Sequence, residues 1–222
     1  MKTGFRAWHD ALLLATALAA AFPTLADAGD GALSRQIAER MPALAERAQT
    51  ACSSVVEADR PAPVEIERAI HEAGDAVSRA VTSDVTVSAA EPLLAGLAMR
   101  VGDFDTVPSL SLHQLRNALA ASGGDTARVI EGRAFVFALL QHIDRSGDGR
   151  TPATAWHPCL IGNEYAFVRQ VLGAHGITEQ TLVHEGERHY DRLTLAMADG
   201  SAHEVYFDVT DLYRRNAEAL LR

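Results

Sequence analysis

The sequence predicts an α+β fold, a helical N-terminal part followed by a β-α-β-β-β-α unit with a small antiparallel sheet. Three observations carry this. Apolar residues recur at steps of three and four through the front half. Beyond residue 175 the apolar period changes to two, the period of a half-buried strand. The two patterns are segregated along the chain rather than alternating, which argues against a doubly wound parallel sheet.

The helices follow in order. Leu33, Ile37, Met41, Leu44, Ala48, Ala51 and Val55 form one stripe, with Pro42 inside it, so a kink or a fresh start is expected there. Two prolines between Asp59 and Pro63 mark a break. Ile66, Ile70, Ala73, Val77 and Val81 form a second stripe. Ser88 to Glu91 is a capping-box pattern opening a third helix with Leu93, Leu94, Leu97 and Val101. A loop runs from Gly102 to Pro108. Ser111 to Gln114 is a second capping box, opening a short helix that stops at Gly123-Gly124. A long apolar helix then spans about Thr126 to Ile143.

In the back half, Thr154 to Ile161 reads as a short edge strand broken by Pro158, and Asn163 to Leu172 as a helix. Gln180–His184, Asp191–Met197 and Glu204–Val209 read as strands. A three-residue connection, Ala198-Asp199-Gly200, pairs Leu193 with Val205 and Leu195 with His203, so the apolar faces coincide. A two-residue loop would set them on opposite faces. Thr210 is expected to cap a last helix whose Leu212, Tyr213, Ala217, Leu220 and Leu221 are available to pack on the sheet.

Residues 1–28 read as a signal peptide: Lys2 and Arg6, an apolar stretch from Ala11 to Leu25, then Ala26-Asp27-Ala28 before the cut. The expected location is periplasmic or secreted, without a stable membrane anchor. Residues 29–143 form the helical region and 144–222 the α+β unit, with Ser146–Gly149 as the boundary. Whether they share one core is left open by the pattern. The net charge of −9 argues against nucleic acid and against anionic membrane surfaces as partners.

Lys2 is the single lysine, so a chain cut after Ala28 has none. That excludes a Schiff-base lysine, a P-loop lysine and a Ser-x-x-Lys nucleophile. Two cysteines, Cys52 and Cys159, cannot make a Cys-rich zinc site. In an oxidising compartment a disulfide between them is expected. It would close a loop of about 100 residues and contribute at most ~4–5 kcal/mol. Two buried free thiols are the alternative.

The blocks Ser146-Gly147-Asp148-Gly149-Arg150-Thr151-Pro152-Ala153-Thr154-Ala155, Glu164-Tyr165, Gln180-Thr181-Leu182, Tyr190-Asp191-Arg192-Leu193 and Tyr206-Phe207-Asp208-Val209 occur in that order. This segment, about a third of the chain, resembles an uncharacterised bacterial family of unknown function that joins helical N-terminal parts to such a unit. The resemblance implies that the blocks belong together. It implies no reaction and assigns no catalytic residue.

Candidate chemistry is sparse. Asp144, Ser146 and Asp148 match the front of a calcium loop with Gly149 in the sixth place, but Ala155 stands where a bidentate Glu belongs. A tight polar turn accounts for the same residues. Calcium is thus a weak candidate, and no other cofactor is expected. His184, His189 and His203 with Asp191 could hold zinc or copper, or be scattered strand-end histidines. His184 to His189 lacks zincin spacing, and there is no G-x-S-x-G elbow. Glu164, Asp191 and Asp208 could gather for acid–base work.

The leading expectation is therefore a non-enzymatic module that binds a protein or envelope partner. Its contact surface would be the polar sheet face around Tyr190, Arg192, Tyr206 and Asp208. The alternative is a metal-dependent or carboxylate-based hydrolase using the back-half His, Asp and Glu residues.

Overall fold

The computed structural model describes residues 30–81 and 90–221. Among them the chain forms α1 (Asp30–Ser54), α2 (Pro63–Val81), α3 (Ala90–Val101), α4 (Leu110–Ser122), α5 (Thr126–Asp144), α6 (Gly162–Gln170), β1 (Gly176–Glu185), β2 (Arg188–Ala196), β3 (Ala202–Asp208) and α7 (Thr210–Leu220). This is the α+β architecture that the change of period predicts. The proposed leader, residues 1–28, and Ser88, the expected cap of the third helix, lie outside the described residues.

α5 is apolar nearly all round and lies inside, with Ala134, Phe135, Leu139 and Ile143 at or near zero exposure. α1 and α4 pack on it, and α3 packs on α2. α1 presents Ile37, Leu44, Ala48 and Ala51 to this core; the two alanines are almost fully buried. The same apolar cluster takes Phe167 from α6 and Leu193, Leu195, Val205 and Phe207 from the sheet. Side chains from both sides of Ser146–Gly149 thus share a core. A second cluster joins Val55, Ile66, Ile70, Leu97, Val101, Leu112 and Leu160 to Leu212 of α7.

The sheet order is β1-β2-β3, antiparallel throughout. Leu193 faces Val205 and Leu195 faces His203, the register argued from the apolar faces. Met197 N–H donates to Ser201 O (2.9 Å) and Gly200 N–H to Met197 O (3.1 Å), with Gly200 at φ +82°, which is the three-residue loop. β1 carries an irregularity between Ile177 and Glu179. Cys52, in the last turn of α1, is disulfide-bonded to Cys159, just before α6.

Several local expectations are corrected. α1 runs through Pro42 without a fresh start. The cap of α4 is Ser109, not Ser111: its Oγ accepts from Leu112 N, and Ser111 sits in the first turn, bonded to Ser109 Oγ (3.0 Å). Pro108 disfavours helical backbone at Val107, and Ser109 follows in extended conformation, so the helix starts one residue after the first available hydroxyl.

The expected strand at Thr154–Ile161 shrinks to one bridge. Pro152–Thr154 is a 3₁₀ turn, and Trp156 alone pairs in parallel with Phe207. Thr210 does not cap α7; its Oγ1 accepts from His189 N (3.0 Å), while Asp208 Oδ1 accepts the Thr210 amide.

α7 does not lay its apolar residues on the sheet either. Leu212 enters the helical cluster, and Leu220 and Leu221 are exposed. What holds α7 is polar. Buried Arg215 donates to the carbonyls of Glu57 (3.3 Å), Ala58 (3.3 Å) and Arg60 (2.7 Å), and Asn216 Oδ1 accepts from Val64 N (2.9 Å). The guanidinium thus ties down the turn between α1 and α2 through three charge-assisted bonds to its carbonyls.

Candidate functional site

The first turn of α6 points two polar side chains into the protein. Asn163 accepts from Leu110 N (3.0 Å) and donates to Pro108 O (2.7 Å), pinning α6 to the start of α4. Glu164 is fully buried, and neither of its carboxyl oxygens meets a donor. Beside it lie Asp191 of β2, 6% exposed, and Glu67 of α2. α6 has no side-chain cap of its own; instead Glu67 Oε1 accepts from the Gly162 amide, doing the work of a cap from another helix.

A hydrogen-bonded chain closes the other side. Tyr165 Oη donates to Gln180 Oε1 (2.6 Å), and Gln180 Nε2 donates to Asp191 Oδ2 (3.0 Å). Asp191 therefore has a donor and Glu164 has none. Burial pushes the Glu164 carboxyl well above its ordinary range, and the charges of Asp191 and Glu67 push it further. Burial also raises Asp191, opposed by its Gln180 and Glu164 bonds. Burial raises Glu67 to about 7, against the pull of the Gly162 amide. The arrangement is satisfied when Glu164 keeps its proton and donates it to Asp191, since two carboxylates side by side could not both ionise there.

Such a set has the parts of an acid–base pair, one carboxyl held protonated and one near neutrality. It is enclosed, however. Two surface hollows of about 470 Å³ each are lined elsewhere, one by Arg47, Arg60 and Asp105, the other by Gln36, Arg40 and Arg128.

The other candidates fall in separate places. Asp208 does not join Glu164 and Asp191; it meets Arg188 (3.4 Å) and the Thr210 amide. In the expected contact surface, Tyr190 is 3% exposed and the Asp208 side chain 8%; the two pair across β2 and β3 at the end of the sheet from which α7 follows and packs on β2. Arg192 and Tyr206 remain half-exposed, with Arg192 between Glu179 (3.7 Å) and Glu204 (3.8 Å).

His184 and His189 do face each other, Nδ1 to Nδ1 at 2.9 Å, with Tyr213 against both rings. His203 lies at the opposite end of the sheet, bonded to Ser201, so these histidines and Asp191 do not form one metal centre.

The Asp144-Ser146-Asp148 loop is a tight turn. Ser146 Oγ donates to Ile143 O (2.6 Å) and accepts from His157 N (2.8 Å), and Asp148 Oδ1 accepts from Arg150 N (3.1 Å). Gly149, at φ +65°, lies against the Trp156 ring. The would-be calcium ligands Ser146 and Asp148 are thus already engaged inside the turn.

Glu67 escaped the sequence reading because it is one acidic residue on an amphipathic helix, and only the tertiary meeting of α2 with α6 gives it a role. In comparisons with known proteins, no family model matches this chain, and no curated protein or solved structure matches it.

Proposed function

We propose that the protein is a non-enzymatic exported module that accepts an extended, basic segment of a partner protein along the outer edge of β1. One observation carries the reading. The β3 edge is closed by the 149–156 segment: Tyr206 N–H donates to Gly149 O (2.8 Å), Trp156 N–H to Tyr206 O (3.1 Å) and Asp208 N–H to Trp156 O (2.7 Å). β1 is ten residues long, and among the described residues its backbone pairs with β2 alone.

A long edge strand left open is a template for another strand, and proteins usually blunt it. Glu179, Glu185 and Glu187 are exposed along or beside β1, and the chain carries −9, so a basic segment is the complementary occupant. Export is supported by the leader-like residues 1–28 and by the disulfide. Among the described residues, no helix is long and apolar enough to cross a membrane.

The test is amide hydrogen exchange during titration with arginine-rich extended peptides. Slower exchange at Gln180–Val183, and weaker binding after Glu179→Arg with Glu185→Arg, is the expected result. Binding that leaves those amides unchanged, or no binding of any such peptide, ends the reading.

A carboxylate-based hydrolase is the second reading, favoured by Glu67 being raised to about 7 beside Glu164 and Asp191. It requires a substrate to reach an enclosed cluster. Loss of a measured hydrolytic activity in Glu164→Gln, with the fold retained, would promote it over the first.

A further inference from the structure

Cys52, His142 and Cys159 offer ligand atoms that all lie within 4.8 Å of one another. The three residues come from different elements: the last turn of α1, the last turn of α5 and the segment before α6. α1 packs along α5, so the first two are held in place by the core and not by a flexible loop. Cys52 and His142 are half-buried, which gives solvent access, while Cys159 is 3% exposed. His157 is exposed and near enough for its charge to act on His142.

We propose that the reduced form of this protein binds one divalent cation of the zinc class between the Cys52 and Cys159 thiolates and the His142 imidazole. His157 or a water would take the fourth position. Zn–S bonds of about 2.3 Å and Zn–N bonds of about 2.0–2.1 Å place tetrahedral neighbours roughly 3.3–3.8 Å apart. Once the bridge is reduced the two sulfurs must move apart to that spacing, and the imidazole nitrogen already lies within 4.8 Å of both, so the adjustment asked of the site is rotation of side chains. Two thiolates and an imidazole suit zinc and cobalt better than calcium or magnesium, which take oxygen ligands.

The chemistry balances with a dithiol as reductant. The dithiol gives up two electrons and two protons and becomes a disulfide; the Cys52–Cys159 bond breaks to two thiols. Cation binding then displaces both thiol protons to solvent, leaving two thiolates that neutralise the divalent charge. With the bond intact neither sulfur is a thiolate, so the oxidised chain lacks the site. Disulfide and metal are therefore alternative clasps: the bond joins α1 to the segment before α6, and the metal would join both of these to α5 as well.

The test uses the full chain, bridged or reduced with a phosphine under argon, and Co²⁺ as the probe. The reduced chain should take up one equivalent with a thiolate-to-cobalt charge-transfer band, and the bridged chain should give no such band. His142→Ala, reduced, should lose the stoichiometric uptake.

A folded reduced chain without the band, or one whose uptake is unchanged in His142→Ala, overturns the proposal. Should reduction unfold the chain, Zn²⁺ must restore the helical circular dichroism of the unaltered protein and not that of His142→Ala; any other outcome overturns it as well. The charge-transfer band separates this site from cobalt held by the exposed His184–His189 pair, which has no sulfur.

Discussion

Glu67 accepts a hydrogen bond from the amide of Gly162, which ties α2 to the first turn of α6 and sets a second carboxyl beside the buried Glu164. The bond stabilises the helix joint, but it gathers acid groups where water cannot screen them. The balance of those two effects is visible as a dependence on pH.

Burial raises Glu67 to about 7, above its unfolded value. The sign follows: below about pH 4.5 both states are protonated and nothing is lost, and from there to about pH 7 the unfolded state sheds its proton first, so stability falls as pH rises. Glu164 and Asp191, also raised, act in the same direction. His113 opposes them. Burial lowers it to about 4 while it bonds Val107 O (2.9 Å), so its contribution is present above about pH 6.5 and is lost as pH falls toward 4. Denaturant unfolding at pH 5 and pH 8 should show Glu67→Gln gaining on the unaltered protein by on the order of 3 kcal/mol between the two. An equal gap at both pH values would refute the assignment.

Arg215 supports the turn between α1 and α2 with three carbonyl bonds. Arg215→Ala should destabilise by about 1.5–3 kcal/mol, since the bonds of a buried, charged donor to three carbonyls are lost. Arg215→Lys should recover little, because one ammonium cannot span the three positions. Denaturation midpoints of the two variants decide it.

A Cβ at Gly149 would meet the Trp156 ring at 2.2 Å, at a backbone φ of +65°. Gly149→Ala should cost about 1–3 kcal/mol through overpacking, with the left-handed conformation adding to it. Gly124, at φ +74° with nothing within 4 Å, is the control. Gly124→Ala should cost less, by the packing share alone.

Removing the disulfide by Cys52→Ser with Cys159→Ser should lower stability by up to about 4–5 kcal/mol, since it frees a loop of 107 residues in the unfolded chain. A calorimetric melting temperature unchanged from that of the bridged protein would contradict this.

How much of this was legible in the sequence depends on how local the cause is. The helical stripe of Ile37, Leu44, Ala48 and Ala51 and the Leu193–Val205 register are set by period and loop length, and the structure repeats them. The cap at Ser109 was missed by two residues because Ser109 and Ser111 offer the same hydroxyl, and the backbone after Pro108 chooses between them.

Leu220 and Leu221 match an apolar face that stays exposed among the described residues, since α7 is docked by Arg215 and Asn216 instead. The Glu164–Asp191 meeting is one of the carboxylate groupings that the residue types allow. Glu67 stands outside that grouping, and Asp208, expected to gather with them on one sheet face, meets Arg188 and the Thr210 amide instead. Convergence of α2, α6 and β2 at one point is a tertiary fact with no period to announce it.

The Cys52–Cys159 bond also makes the chain tolerant of being cut. A single proteolytic nick anywhere between those two positions opens the backbone yet leaves one covalently connected molecule. The fragments would part only under reductant, so a clipped protein could pass for an intact one on a non-reducing gel while its halves were already separate polypeptides.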